Sequence, residues 1–186
     1  MLQLSGMKSD ILAGAAAGAV GGVIGSTAMV LVNHALAATG FGREDLGARK
    51  QHRHDRGKPN ETDGTISDEP ASEKGVSKLV EATTGHQLGD TGKKVGGTLA
   101  HHAFGAVVGA MYGAAVASAP RLAVGSGAAY GAFVWLSAAE IALPLAGLAK
   151  RPTRYPAERH VASLATHLVF GLTVEGVRRW MSRTIR

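Results

Sequence analysis

One uncharged run near the amino terminus constrains this chain more than any other feature. From Ile11 to Val32 no side chain is ionisable, and the next lysine or arginine is Arg43. A transmembrane helix needs about 20 mainly apolar residues, whereas the apolar part of a cleavable signal peptide has only about 7–15. The run therefore predicts a retained membrane span over residues 11–38.

Three further stretches have the length and composition of membrane spans, and they cover residues 95–119, 122–149 and 160–181. The first of these contains His101 and His102 as its ionisable groups, and the second contains Glu140. The last is more polar, but polar side chains are tolerated in a span where they face other helices. We predict an all-α integral membrane protein, a single domain over residues 1–186 folded as an antiparallel four-helix bundle.

A polar insert over residues 41–94 separates the first two predicted spans. Its first part mixes both charge signs with Gly, Pro and Asn, so His52 and His54 within it are interpreted as part of a solvated loop rather than a metal site. Its second part places Val76, Leu79 and Val80 at helical spacing. This pattern predicts a short amphipathic helix over residues 72–85, lying along the membrane surface.

The charge pattern leaves the orientation in the membrane open. Lysine and arginine are more numerous on the side of the long insert, which would place that side in the cytoplasm. Most of those charges lie in a long segment balanced by acids, whereas the carboxy-terminal tail is short and purely basic. The two indications oppose each other.

Composition excludes several classes of function. With no cysteine, the chain has no disulfide, no thiolate metal site and no cysteine nucleophile. The net charge of +6 does not indicate nucleic-acid binding, because no basic face with interleaved aromatic residues exists outside the spans. No nucleophile triad, phosphate loop or dinucleotide fingerprint is present, so an enzyme is not the favoured class.

Glycine accounts for 26 of the 186 residues and recurs every four positions within three spans. Small residues at this spacing let helix backbones approach closely in lipid. The pattern predicts glycine-zipper packing, either within the chain or against a partner. The predicted packing residues are Gly14, Gly18, Gly22, Gly105, Gly109, Gly113, Gly127 and Gly131.

Ionisable residues inside spans are functional candidates because they are costly to bury in lipid. Antiparallel topology places His101, His102, Glu140 and His167 in the same half of the membrane, at similar depths. Pro144, one turn after Glu140, frees a backbone carbonyl and favours a distorted, polar pocket there.

Four interpretations of this cluster stay open. The histidines and the carboxylate suit a divalent first-row metal, two histidines from facing helices suit a haem b, and a His/Glu chain suits a proton relay. The fourth is structural: each histidine hydrogen-bonds a backbone carbonyl or a Ser/Thr and fixes the helix register. The leading expectation is therefore that no cofactor is bound.

Basic residues close the last span, where Arg178, Arg179 and Arg183 flank Trp180. Such a juxtamembrane end commonly binds anionic lipid headgroups. We predict that role for these three arginines.

Short motifs in the last three spans resemble one family. They are His101-His102-Ala103-Phe104-Gly105, Glu140-Ile141-Ala142-Leu143-Pro144 and His167-Leu168-Val169-Phe170-Gly171. Over about residues 70–182 their order is similar to that of the YagU-like family of uncharacterised bacterial inner-membrane proteins. The resemblance implies a multi-pass protein of the bacterial inner (cytoplasmic) membrane, with these histidines and the Glu-Pro pair as family landmarks, and it implies no activity.

Two functions follow as hypotheses. The first is a structural or accessory subunit that packs through its glycine faces against itself, as a homo-oligomer, or against other membrane subunits. The second is a small transport, proton-relay or metal- or haem-binding protein that uses the buried His/Glu cluster.

Overall fold

The computed structural model describes residues 2–40 and 70–184, so the charged part of the insert, with His52 and His54, lies outside the described residues. Every regular element in these two ranges is helical. A π-helix over Trp135–Ala142 and three short 3-10 turns, Pro120–Leu122, Val124–Gly127 and Pro152–Arg154, complete the α-helices. Those α-helices are α1 (Leu2–Ala38), α2 (Ala71–Thr84), α3 (Asp90–Ser118), α4 (Ala128–Val134), α5 (Leu143–Leu145) and α6 (Ala157–Thr184).

Four helical segments are long and apolar enough to cross a membrane, which makes the chain a multi-pass membrane protein. They are Gly6–Ala38, Asp90–Ser118, Val124–Leu145 and Ala157–Thr184. The third of them, Val124–Leu145, combines a 3-10 turn, α4, the π-helix and α5, and is called the third span below. Large apolar side chains project outward from all four, as lipid-facing residues do.

The tightest contact in the bundle joins α1 to α3. Their backbones approach so closely that a β-carbon on Gly18 would collide with the carbonyl of Gly109. The same holds along both helices in antiparallel order, because Gly14 faces Gly113 and Gly22 faces Gly105. A side chain at any of these positions would force the two backbones apart.

The helix α1 also packs on α6, so it lies between α3 and α6. A β-carbon on Gly21 would come within 2.9 Å of the carbonyl oxygen of Val174, and one on Gly25 within 2.8 Å of the Phe170 ring. The third span packs on a neighbouring face of α6, where Gly127 and Gly131 meet the α6 backbone. These glycines therefore lie where the backbones of two helices approach closely.

Regular helix in the third span is shorter than the predicted stretch of residues 122–149. Gly125, Ser126 and Gly127 all have left-handed backbone conformations, with φ of 58°, 54° and 92°, so α4 begins only at Ala128. At the other end α5 stops at Leu145 and is followed by Gly147 with φ of 65°. Left-handed residues cannot continue a right-handed helix, which explains both limits.

A π-helix replaces ordinary α-helix over Trp135–Ala142 in the third span. Pro144 has no backbone N–H, so the carbonyl of Glu140 lacks its usual partner four residues later. The distortion predicted around Glu140 thus takes the form of a wider helical turn. π-helical turns are frequent at functional sites.

The apolar centre of the bundle consists of Met29, Tyr112, Val116, Phe170 and Val174. The ring of Tyr112 lies against that of Tyr130, with 4.5 Å between the ring centroids. Tyr130 Oη donates a 2.6 Å hydrogen bond to the carbonyl of Val108. This bond and the ring contact join α3 to the third span.

The amphipathic helix α2 packs on the first turns of α3, where Glu73 contacts Gly97 and Val76 contacts Gly96. It ends at Gly85, which has a left-handed φ of 71°. Lys78 Nζ donates to the carbonyl of Gly147, just after the third span, at 3.3 Å. The helix α2 therefore contacts the end of the bundle where α1 stops and α3 begins, called the loop end below.

Candidate functional site

At the loop end, the third span and α6 bring Glu140 and His160 into direct contact. His160 Nδ1 lies 2.9 Å from Glu140 Oε1, and its Nε2 lies 3.0 Å from the carbonyl oxygen of Pro152. The two side chains are largely covered, with exposed fractions of 27% for His160 and 15% for Glu140. One imidazole thus links the π-helix, the Pro152–Arg154 turn and the first turn of α6.

The partners of His160 fix how many protons the pair holds. A carbonyl oxygen only accepts, so Nε2 must carry a hydrogen to bond Pro152. The remaining contact joins Nδ1 to a carboxylate oxygen, and it needs one more proton, carried by either atom. Without that proton two lone pairs would face each other at 2.9 Å. With these partners the pair holds one proton more than a neutral imidazole and a carboxylate would hold.

Neighbouring groups hold this pair in place from the chain that connects the third span to α6. The ring of Tyr155 lies edge-on to that of His160, with 6.3 Å between the ring centroids. The Arg159 guanidinium stacks 4.1 Å from the centroid of the Tyr155 ring. Tyr155 Oη accepts a 3.1 Å hydrogen bond from the backbone N–H of Lys150. The connection is thereby closed by its own hydrogen bond and contacts α6 at His160.

The other predicted histidines have partners of a different kind. His102 donates from Nδ1 to the carbonyl of Thr98 at 2.9 Å, and its Nε2 lies 3.2 Å from Thr27 Oγ1 on α1. His167 donates from Nδ1 to the carbonyl of Ser163 at 2.7 Å. Each of these bonds is satisfied by a neutral imidazole. They match the structural interpretation, in which a histidine fixes helix register.

The four predicted site residues do not form one ligand set. His101 and His102 contact each other edge to face at 5.7 Å, His101 interacts electrostatically with His167, and His167 with Glu140. Glu140 instead makes its hydrogen bond to His160, which was outside the predicted set. Within residues 2–40 and 70–184 no three His, Asp or Glu side chains are grouped so as to hold a metal ion.

A second charged group, which the sequence interpretation missed, surrounds Glu175 on α6. This side chain is 1% exposed. Arg178 binds it in a bidentate manner, with Nε 2.6 Å from Oε2 and Nη2 2.8 Å from Oε1. Arg179 Nε donates to Oε1 at 2.5 Å. Two of the three arginines predicted to bind lipid headgroups are therefore engaged by a buried carboxylate, while Arg183 is exposed.

Along α6, the apolar residues Phe170 and Val174 separate His167 from Glu175. Both are at most 2% exposed and belong to the central apolar cluster with Met29. The two charged groups therefore lie on opposite sides of an apolar layer. Glu140 interacts electrostatically with His167, and Phe170 and Val174 follow His167 along α6 before Glu175.

Comparison with known proteins identifies a family. Residues 71–176 match the family described as Protein of unknown function (DUF1440). The matched region covers more than half of the chain, begins at α2, contains the Glu140–His160 pair and reaches just beyond Glu175. No curated protein and no solved structure matches the chain significantly. The helix α2, Asp90–Ser118, the third span, the Glu140–His160 pair and Glu175 fall within the matched region, whereas Arg178 and Arg179 lie beyond it. By this match the chain belongs to the DUF1440 family.

Proposed function

We propose that the protein is a proton-responsive membrane protein whose loop end takes up and releases a proton at the Glu140–His160 pair. The single observation that carries the proposal is the imidazole of His160, which faces an acceptor at each ring nitrogen. The pair is complete only while it holds the proton. Loss of that proton turns one attractive contact into a repulsive one.

The position of the pair supports a conformational response. Glu140 belongs to the π-helix, which Pro144 keeps from closing into ordinary α-helix. His160 belongs to α6, and Pro152 to the connecting turn. Deprotonation therefore loosens the contact of three elements at once, and the loop-end half of the third span is the element free to move.

The histidines deeper in the bundle support a short inward relay. His167 interacts electrostatically with Glu140 on one side and with His101 on the other. A change in the charge of Glu140 is thus felt by His167. Because Phe170 and Val174 follow, we assign this chain to proton sensing at one end of the bundle rather than to conduction across it.

Replacing Glu140 with glutamine is expected to remove most of the pH dependence of stability. In the wild type, raising the pH removes the shared proton and leaves two acceptors in contact, so stability falls by about 1–3 kcal/mol. A glutamine amide donates to Nδ1 of a neutral His160, so the variant needs no extra proton. Thermal unfolding in detergent micelles between pH 5 and pH 9 measures the difference.

The matched control for this experiment is Glu158→Gln, which changes an exposed carboxylate in the first turn of α6, two residues before His160. Like Glu140→Gln it removes one carboxylate charge, here from α6, and it leaves every histidine in place. A pH dependence that Glu140→Gln leaves intact, or that Glu158→Gln abolishes equally, would contradict the proposal. Proton release on a pH jump, measured with a soluble dye, gives a second readout that does not depend on unfolding.

An accessory subunit is the second candidate, and the exposure of the third span favours it. Of the 18 most apolar consecutive residues of that span only 11% are buried inside the protein, whereas the share is 28–39% in the other three spans. A further helix from another membrane subunit, or from a second copy in a homo-oligomer, would cover it. Purification in a mild detergent followed by mass spectrometry tests this, and recovery of the monomer alone would contradict it.

Two finer assignments accompany these proposals. The motifs around His101, Glu140 and His167 support the YagU-like resemblance, and the location that it implies is the bacterial inner membrane. The glycines Gly18 and Gly109 support glycine-zipper packing inside the chain. Fractionation of membranes from the native host, with the protein traced by immunoblot, tests the location.

A further inference from the structure

A basic cleft opens at the loop end beside the third span, apart from the Glu140–His160 pair. Its lining contains three cations and no carboxylate: Pro144, Gly147, Ala149, Lys150, Arg151 and Arg154. A fourth cation, Lys78 of α2, reaches its edge and donates to the carbonyl of Gly147. A concave surface with this charge attracts an anion.

The geometry of the two arginines suits an oxyanion. Arg151 and Arg154 stand at the two ends of one 3-10 turn, closed by a 2.9 Å hydrogen bond from the N–H of Arg154 to the carbonyl of Arg151. Both are exposed, and within residues 70–184 neither forms an ion pair with a carboxylate. Guanidinium groups bind phosphate through paired N–H donors. The turn therefore presents two such donor pairs, those of Arg151 and Arg154.

The surroundings of the cleft indicate where the phosphate comes from. Leu145 and Ile141 precede it along the third span and are 83% and 49% exposed. Apolar surface on a spanning segment faces acyl chains, so the cleft begins where that surface ends. A phospholipid would place its acyl chains along Leu145 and its phosphate among the cations.

We propose that this cleft is a binding site for the phosphate group of an anionic phospholipid, held by Arg151 and Arg154 with Lys150 and Lys78. The recognised chemistry is a phosphate oxyanion, which soluble phosphate compounds share. The exposed apolar residues beside the cleft favour the lipid. Neither Glu140 nor His160 lines the cleft, although His160 bonds the carbonyl of Pro152 in the turn that carries its arginines.

The test uses the full chain in nanodiscs of phosphatidylcholine containing a small fraction of phosphatidylglycerol. Native mass spectrometry counts the lipids that stay bound to the protein. We expect preferential retention of phosphatidylglycerol, with apparent affinity about tenfold or more lower in R151Q/R154Q, since each juxtamembrane cation contributes attraction to an anionic lipid. Circular dichroism of the same samples verifies that the variant is folded.

The control is K93Q/K94Q, which removes the same charge from a second cleft at the same end, where Glu73 and Asp90 balance the lysines. Retention is expected to be unchanged in it. Equal loss in both double variants, or no preference for phosphatidylglycerol in the wild type, would overturn the proposal. In a parallel arm, glycerol phosphate is titrated into phosphatidylcholine nanodiscs, and binding there that depends on Arg151 and Arg154 would assign the site to a soluble phosphate compound and overturn the lipid source.

Discussion

Replacing Gly109 with alanine is expected to separate α1 from α3 and to destabilise the protein by about 3 kcal/mol, as overpacking between two backbones does. The added methyl group would collide with the carbonyl of Gly18 and come within 2.9 Å of the Gly22 Cα atom. Backbone atoms cannot turn aside as a flexible side chain can. Unfolding in detergent micelles by added sodium dodecyl sulfate, followed by circular dichroism, measures the loss.

Gly176→Ala is the control for this substitution. It lies on α6 and a β-carbon there would meet no atom within 4 Å. Alanine is a better helix former than glycine by about 1 kcal/mol, so this variant should be as stable as the wild type or slightly more so. If Gly109→Ala and Gly176→Ala unfolded alike, the close approach of α1 and α3 would not hold the bundle together.

The glycines illustrate how much of the fold the sequence carries. Four stretches long enough to cross a membrane were predictable, because span length depends only on the local run of apolar residues. The spacing of Gly14, Gly18 and Gly22 indicated a close helix contact. It did not indicate that α3 would be the partner, since a glycine stripe fits any other glycine stripe.

The third span shows where local reasoning stops. Pro144 predicted a distortion around Glu140, and a π-helix is found there. The left-handed conformation of Ser126 had no such signal, because Ser is not a residue that usually adopts a positive φ. That conformation is sustained by the packing of Gly127 against α6, which is a tertiary contact.

Of the two residues in the candidate site, the sequence indicated one. Glu140 was selected as an isolated charge within a span, whereas His160, at the start of the last helix, was not among the predicted site residues. Their contact was missed because the third span was predicted to continue to residue 149, which put Glu140 deeper than His160. In the structure α5 ends at Leu145, so the two residues meet across a short connection.

Glu175→Gln is expected to destabilise the protein by about 3 kcal/mol, because removing one partner of a buried ion pair leaves the other charge without compensation. Glu175 is 1% exposed and receives bonds from both Arg178 and Arg179. Residues three and four positions apart lie side by side on a helix, so Arg178 and Arg179 both reach the Glu175 carboxylate. Thermal unfolding in micelles compares the variant with Glu158→Gln, which removes an exposed carboxylate from the same helix.

Adding Arg178→Gln to Glu175→Gln distinguishes an uncompensated buried charge from a simple loss of packing. If Glu175→Gln is costly because the Arg178 guanidinium is left buried, then Glu175→Gln/Arg178→Gln should regain much of the lost stability, since two glutamines can hydrogen-bond each other without net charge. Arg179, with 45% of its side chain exposed, can turn outward to water and should matter less. Strictly additive losses in the double variant would show that Glu175 and Arg178 are not coupled, and the cost of Glu175→Gln would then not come from the unpaired Arg178 charge.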